Sequence, residues 1–167
     1  MTTSISRSGQ PSARFVFSHP AHFIAFGFGT GLSPVAPGTV GTLLGLPLYI
    51  ALAHWLPDAL LFALLLAMFA IGLWACDATG RHLGVHDHGG MVWDETVAFM
   101  LVLFFTPPVL MWQAFAFLLF RLFDILKPPP IGRIDRDVGG GLGVMLDDIL
   151  AAFYALICLA IGKLLIG

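Results

Sequence analysis

The chain has 167 residues, 58% of them hydrophobic and only 11% charged, with a mean hydropathy of +0.91. Soluble domains carry about a quarter charged residues, so this composition reads as a membrane protein, and the length fits one domain. A net charge of −2, with no Lys/Arg run interleaved with aromatic residues, excludes a basic nucleic-acid binder.

Residues 1–14 read as a polar tail whose first dozen, MTTSISRSGQPS, are expected to be disordered, and residues 15–167 as a single membrane-embedded domain. The apolar run after Arg7 and Arg14 is broken by Ser18, His19 and Pro20, so no cleavable signal peptide is expected. Next comes GFGTGLSPVAPGTVGT, residues 27–42, with five glycines and the hydroxyls of Thr30, Ser33, Thr39 and Thr42. Backbone N–H groups at such a helix start favour an anion. A packed membrane-entry loop, with glycines permitting close helix approach, is the other reading. The stretch is neither GxxxxGK[ST] nor a GxGxxG after a strand, which argues against a nucleotide site.

Apolar runs follow at 41–56, 59–76, 96–105, 109–126 and 149–166. Leu56-Pro57-Asp58 and Thr106-Pro107-Pro108 read as tight hairpin turns between them. The pattern predicts an all-α integral membrane bundle of about five helices, with loops on one face forming the site. The third run is short for a span of roughly 20 residues unless it starts near Val92, which leaves partly interfacial helices as an alternative. Residues 77–93 and 127–146 are expected as polar connections. Arg7, Arg14, Arg81, Lys127, Arg133 and Arg136 all fall opposite the two hairpin turns, which makes their side cytoplasmic by the positive-inside rule. Lys163, near the other face, can snorkel to its interface. Cys76 and Cys158 lie in apolar runs without ligand-like spacing and read as buried free thiols.

Against this background the acids stand out: Asp94 and Glu95 in VWDETV, Asp124 in LFRLFDILKP, Asp147 and Asp148 in GVMLDDIL. All three clusters are expected on the cytoplasmic face, beside the glycine-rich stretch. Asp94, Glu95, Asp147 and Asp148 can each be read as helix-start acids that complement the macrodipole. Asp124 cannot, because it sits near a helix C-terminus, flanked by Arg121 and Lys127 at i−3 and i+3. Oxygen-only donors suit a hard ion, so Mg²⁺ shared with a substrate phosphate is the expected cofactor. His86 and His88, with Asp87 between them, are possible acid/base or metal contributors, although no Cys ligands or HExxH pattern supports zinc. Arg121, Lys127, Arg133 and Arg136 suit phosphate binding as well as membrane orientation. A small cation-binding transporter or channel is the competing class, but it predicts acids spread through the membrane depth rather than gathered at one face.

Four segments, GFGTGLSPVAPGTVGTL, GVHDHGGMVWDE, FRLFDILKPPPIG and GGGLGVMLDDILA, together resemble the phosphatidylglycerophosphatase A family across roughly residues 26–154. The resemblance implies a Mg²⁺-dependent lipid phosphatase that hydrolyses phosphatidylglycerophosphate to phosphatidylglycerol and phosphate in phospholipid biosynthesis. It also implies a multi-pass protein of the bacterial inner membrane with its site on the cytoplasmic face. The expected catalytic residues are Asp94, Glu95, Asp124, Lys127 and Asp148, and the expected metal ligands Asp94, Glu95, Asp124, Asp147 and Asp148. Gly29, Thr30, Gly31, Ser33, Gly38, Thr39, Arg121 and Lys127 are expected to bind substrate, with Asp87, His86 and His88 as further contributors. Pro34 and Pro37 match the same loop motif. Membrane lipid is the expected environment, nucleic acid is not an expected partner, and the small size is compatible with an oligomer.

Overall fold

The computed structural model describes residues 11–166, so residues 1–10, most of the expected polar tail, lie outside the described residues. Among the described residues there is no β-strand. The chain runs through α1 (Ala13–Val16), α2 (Pro20–Ala25), a 3-10 stretch (Gly27–Leu32), α3 (Pro37–Trp55), α4 (Asp58–Leu83), α5 (Trp93–Phe105), α6 (Leu110–Leu126), α7 (Ile131–Asp137) and α8 (Gly140–Ile166). Three of these, α3, α4 and α8, are long and apolar enough to cross a membrane.

Proline sets both hairpin turns. Leu56, before Pro57, is extended at φ −109° and ψ 135°, and Thr106, before Pro107, is extended at φ −96° and ψ 137°. A residue preceding proline is pushed out of the helical region, so each helix stops there.

Two helices run further than hydropathy indicates. The start of the expected polar connection 77–93 is the end of α4, where Asp77 and Arg81 pair one turn apart and Gly84, at φ 71°, closes the helix in the left-handed conformation. Likewise, α8 begins at Gly140 rather than near Ile149. A Cβ at Gly141 would run into the Leu73 carbonyl of α4, so this glycine serves helix–helix contact rather than a loop. Asp147 and Asp148 therefore lie about two turns inside α8, which removes the helix-start reading for them.

The core is organised around α5 and α8. α5 packs against α3, α4, α6 and α8, while α8 also packs against α4, α6 and α7. With 13 residues α5 is about 20 Å long, too short to span, and most of its residues are buried. Its start is fastened by Thr96 Oγ1 donating to the Gly41 carbonyl at 2.8 Å and Trp93 Nε1 donating to the Met68 carbonyl at 3.1 Å. The outward faces of α4, α6 and α8 expose Leu66, Ile71, Leu118, Leu122, Phe153 and Ile161, an apolar surface suited to lipid.

Candidate active site

Because α5 is enclosed by the four long helices α3, α4, α6 and α8 and also touches α2, its first turn carries Asp94 and Glu95 into the bundle instead of to its rim. α8 brings Asp148 to the same place, and one carboxylate oxygen from each of the three lies within 4.8 Å of the others. Asp94 is 6% exposed and Asp148 3%, and the Glu95 side chain is 14% exposed. Asp94 Oδ1, Glu95 Oε2 and Asp148 Oδ2 are buried with no hydrogen-bond partner. Like-charged oxygens held out of water this closely need a cation or shared protons to offset desolvation and repulsion. An all-oxygen donor set of this kind fits Mg²⁺, the ion expected from the sequence.

The other two expected metal ligands are paired with cations of the chain. Asp124 bonds Arg121, its neighbour one turn earlier on α6, and also lies within hydrogen-bonding reach of Asp148. The same guanidinium reaches Glu95 Oε1 at 3.6 Å and the buried Thr42 hydroxyl at 3.4 Å, joining α3, α5 and α6. Asp147 accepts from Lys127 Nζ at 2.6 Å, while its Oδ1 is buried without a partner. Lys127 also donates to Asp135 at 2.8 Å. Burial opposes the charge on Lys127, but its bonds to Asp135 and Asp147 outweigh that and hold its pKa above the ordinary lysine value.

The glycine-rich stretch divides into two parts. The first shapes itself: Thr30 Oγ1 donates to the Gly27 carbonyl and Ser33 Oγ to the Val35 carbonyl, both at 2.8 Å. Gly29 takes φ 101°, and the buried Gly31 backs onto the Gly90 carbonyl. The second part faces the acids. A Cβ on Gly38 would collide with the Glu95 carboxylate and lie 3.2 Å from the Arg121 guanidinium. No side chain caps α3, Pro37 has no N–H, and Val40 bonds the Ala36 carbonyl, so the Gly38 and Thr39 amides remain at this helix start for an anion.

Asp87, His86 and His88 are not among the three carboxylates that converge, although the charge of Asp87 is felt at Asp94 and Asp147. His86 Nε2 donates to the Val138 carbonyl at 2.9 Å, His88 Nδ1 accepts from the Gly90 amide at 3.0 Å, and Asp87 is exposed on the side of Lys127 and Asp135. Sequence reasoning did not assign Thr42 or Asp135 to the site. Thr42 is separated from Arg121 by 79 positions along the chain, and Asp135 reaches Lys127 only through the Pro128–Pro130 turn and α7, so neither has a spacing signal.

The phosphatidylglycerophosphatase A family matches residues 23–163. A phosphatidylglycerophosphatase A from Escherichia coli (strain K12) is 42% identical over 140 residues, covering 83% of this chain and 81% of the relative. Another from Haemophilus influenzae is 43% identical over 148 residues, covering 88% and 91%. A third relative, from Bacteroides thetaiotaomicron, is 40% identical over 151 residues, covering 86% and 94%, and is provisionally named a phosphatidylinositol-3-phosphatase. No solved structure matches the chain. The matched stretch takes in everything from the 3-10 segment to most of α8, including the uncapped start of α3 and every acid of the cluster, and the chain belongs to the phosphatidylglycerophosphatase A family.

Proposed function

We propose that this protein is a Mg²⁺-dependent lipid phosphatase that removes the terminal phosphate of phosphatidylglycerophosphate, giving phosphatidylglycerol and phosphate for phospholipid biosynthesis. The observation that carries the reading is the convergence of Asp94, Glu95 and Asp148, each with a buried oxygen lacking a partner, beside the uncapped start of α3. The names of the two relatives from Escherichia coli and Haemophilus influenzae supply the substrate.

Asp94, Glu95 and Asp148 would hold the metal, with the partnerless Asp147 Oδ1 and the Arg121-paired Asp124 at its margin. When bound, Mg²⁺ neutralises phosphate charge and lowers the pKa of a coordinated water. The Gly38 and Thr39 amides, with the guanidinium of Arg121 and the remaining donor of the Lys127 ammonium, face the phosphate oxygens as charge develops on them. Thr42 and Asp124 fix the guanidinium so that little reorganisation accompanies the reaction. Hydrolysis breaks the bond between phosphorus and the glycerol oxygen, with water supplying an oxygen to the phosphate and a proton to the alcohol. The buried first turn of α5 keeps bulk solvent from the carboxylates.

In the bilayer, α3, α4, α5, α6 and α8 form the membrane bundle, with the α3–α4 and α5–α6 turns outside. α5 enters only part of the way. Arg14, Arg81, Lys127, Arg133 and Arg136 mark the opposite, cytoplasmic end of the bacterial inner membrane, where the site opens.

Phosphate release by the detergent-purified protein, measured with Mg²⁺ and then with excess EDTA, tests the reading. Release from phosphatidylglycerophosphate that EDTA abolishes is the expected result. Faster release from phosphatidylinositol 3-phosphate would move the substrate toward that of the Bacteroides thetaiotaomicron relative's name. No release from either lipid by folded protein would favour the cation-transport alternative.

A further inference from the structure

We propose that Asp135 is a positioning residue that acts through Lys127, an inference that rests on the phosphatase reading above. An ammonium has three donors. Lys127 Nζ gives one to Asp135 Oδ1 at 2.8 Å and one to Asp147 Oδ2 at 2.6 Å, which leaves a single donor whose direction the two carboxylates fix between them. Asp147 is nearly enclosed, its side chain 5% exposed, whereas that of Asp135 is 34% exposed. Asp135 is therefore the water-side anchor of the lysine, outside the group of three carboxylates that converge.

The backbone is built for this arrangement. Lys127 ends α6 at φ 42°, a conformation that residues with a side chain rarely take. α7 folds back over it so closely that a Cβ on Gly132 would lie 2.9 Å from the Lys127 carbonyl oxygen. Ile131, fully buried, pins the start of α7 to the core, and Asp135 follows one turn later on the same short helix. With Asp135 absent, a flexible four-carbon stem would leave the ammonium hydrogen-bonded to Asp147 only, free to turn its remaining donors toward Asp87 and away from the phosphate.

The test uses the full-length protein in detergent and a feature of its composition: Lys127 and Lys163 are its only lysines. Asp135→Asn is expected to lower kcat for phosphatidylglycerophosphate roughly tenfold while KM changes by less than about twofold, as loss of an oriented transition-state donor predicts. Without substrate, the same variant is expected to label several-fold faster at Lys127 with an amine-reactive reagent, read by mass spectrometry, with Lys163 unchanged as the internal reference. Asp135→Glu, which keeps the carboxylate, should recover most of both effects. Asp135→Ser serves in the same measurements if the Asn variant does not fold. A kcat within twofold of wild type overturns the proposal. So does a fall in kcat with unchanged Lys127 labelling, which would make α7 merely structural. Inactivity of the wild-type protein would instead sink the phosphatase reading, and the labelling comparison would still report whether Asp135 holds Lys127.

Discussion

In the proposed site Asp148 and Gly38 take opposite parts at the residue scale, one offering a buried carboxylate and the other making room for it. Asp148 is 3% exposed, with Oδ2 unpartnered and two other carboxylates converging on it. Asp148→Asn keeps the shape and removes the charge. Phosphate release should fall by more than about 100-fold, beyond the 10–100-fold typical of groups that only support a ligand, with the folded bundle retained by size-exclusion chromatography. Near-normal activity would remove Asp148 from the site. Gly38→Ala should behave differently. Its added methyl meets the mobile end of Glu95 rather than backbone, so the protein should melt close to wild type while Glu95 and Arg121 are displaced. A misplacement of about 1 Å can cost on the order of 100-fold in rate, so activity should drop with little change in thermal stability, and an unaltered rate would count against Gly38 as part of the site.

At the scale of elements, the N-terminal helices are tied to the bundle through histidine. His22 Nδ1 faces the Phe15 carbonyl at 3.1 Å, which can only accept, so neutral His22 donates there and its Nε2 accepts from His82 Nδ1 at 2.7 Å, joining α2 to α4. Burial holds the His22 pKa below its ordinary 6.5, the Phe15 bond opposes this, and His82 and His19 add to the lowering. The unfolded state thus takes up a proton first as pH falls, and the stability from neutral His22 is lost from about 6.5 downward through the folded value. Thermal melts in detergent should show this loss below that pH, and His22→Gln should flatten it; identical pH profiles for the two proteins would exclude His22 as the cause. The contact of α4 with α8 gives a second prediction. In Gly141→Ala the methyl meets the Leu73 backbone carbonyl, which cannot swing aside, and a destabilisation of about 1–3 kcal/mol should appear as a lower Tm.

For the whole molecule, the proposed topology places residue 58 outside the cytoplasm and residue 133 within it. In a background lacking Cys76 and Cys158, a membrane-impermeant thiol reagent should label Asp58→Cys in intact cells and Arg133→Cys only after permeabilisation; the reverse pattern would invert the protein in the membrane. Much of this architecture was legible in the chain, because hydropathy and proline act locally: Pro57 and Pro107 stop helices whatever surrounds them. The acids, too, were visible as residue types out of place in apolar segments. Glycine was the ambiguous letter, since all but the first residue of the GGGLG run that reads as a loop form the first turn of α8, packed against α4. Sequence alone thus determined an all-helical chain, its hairpin turns and a set of carboxylates chemically suited to a hard cation and phosphate. Only the tertiary structure decided which of those carboxylates converge: enclosing α5 buries Asp94 and Glu95 against Asp148, while Arg121 takes Asp124 and Lys127 takes Asp147 with Asp135. The reason is physical, because charge pairing in a helical bundle depends on which faces meet across several helices, a long-range property that neither periodicity nor spacing along the chain encodes.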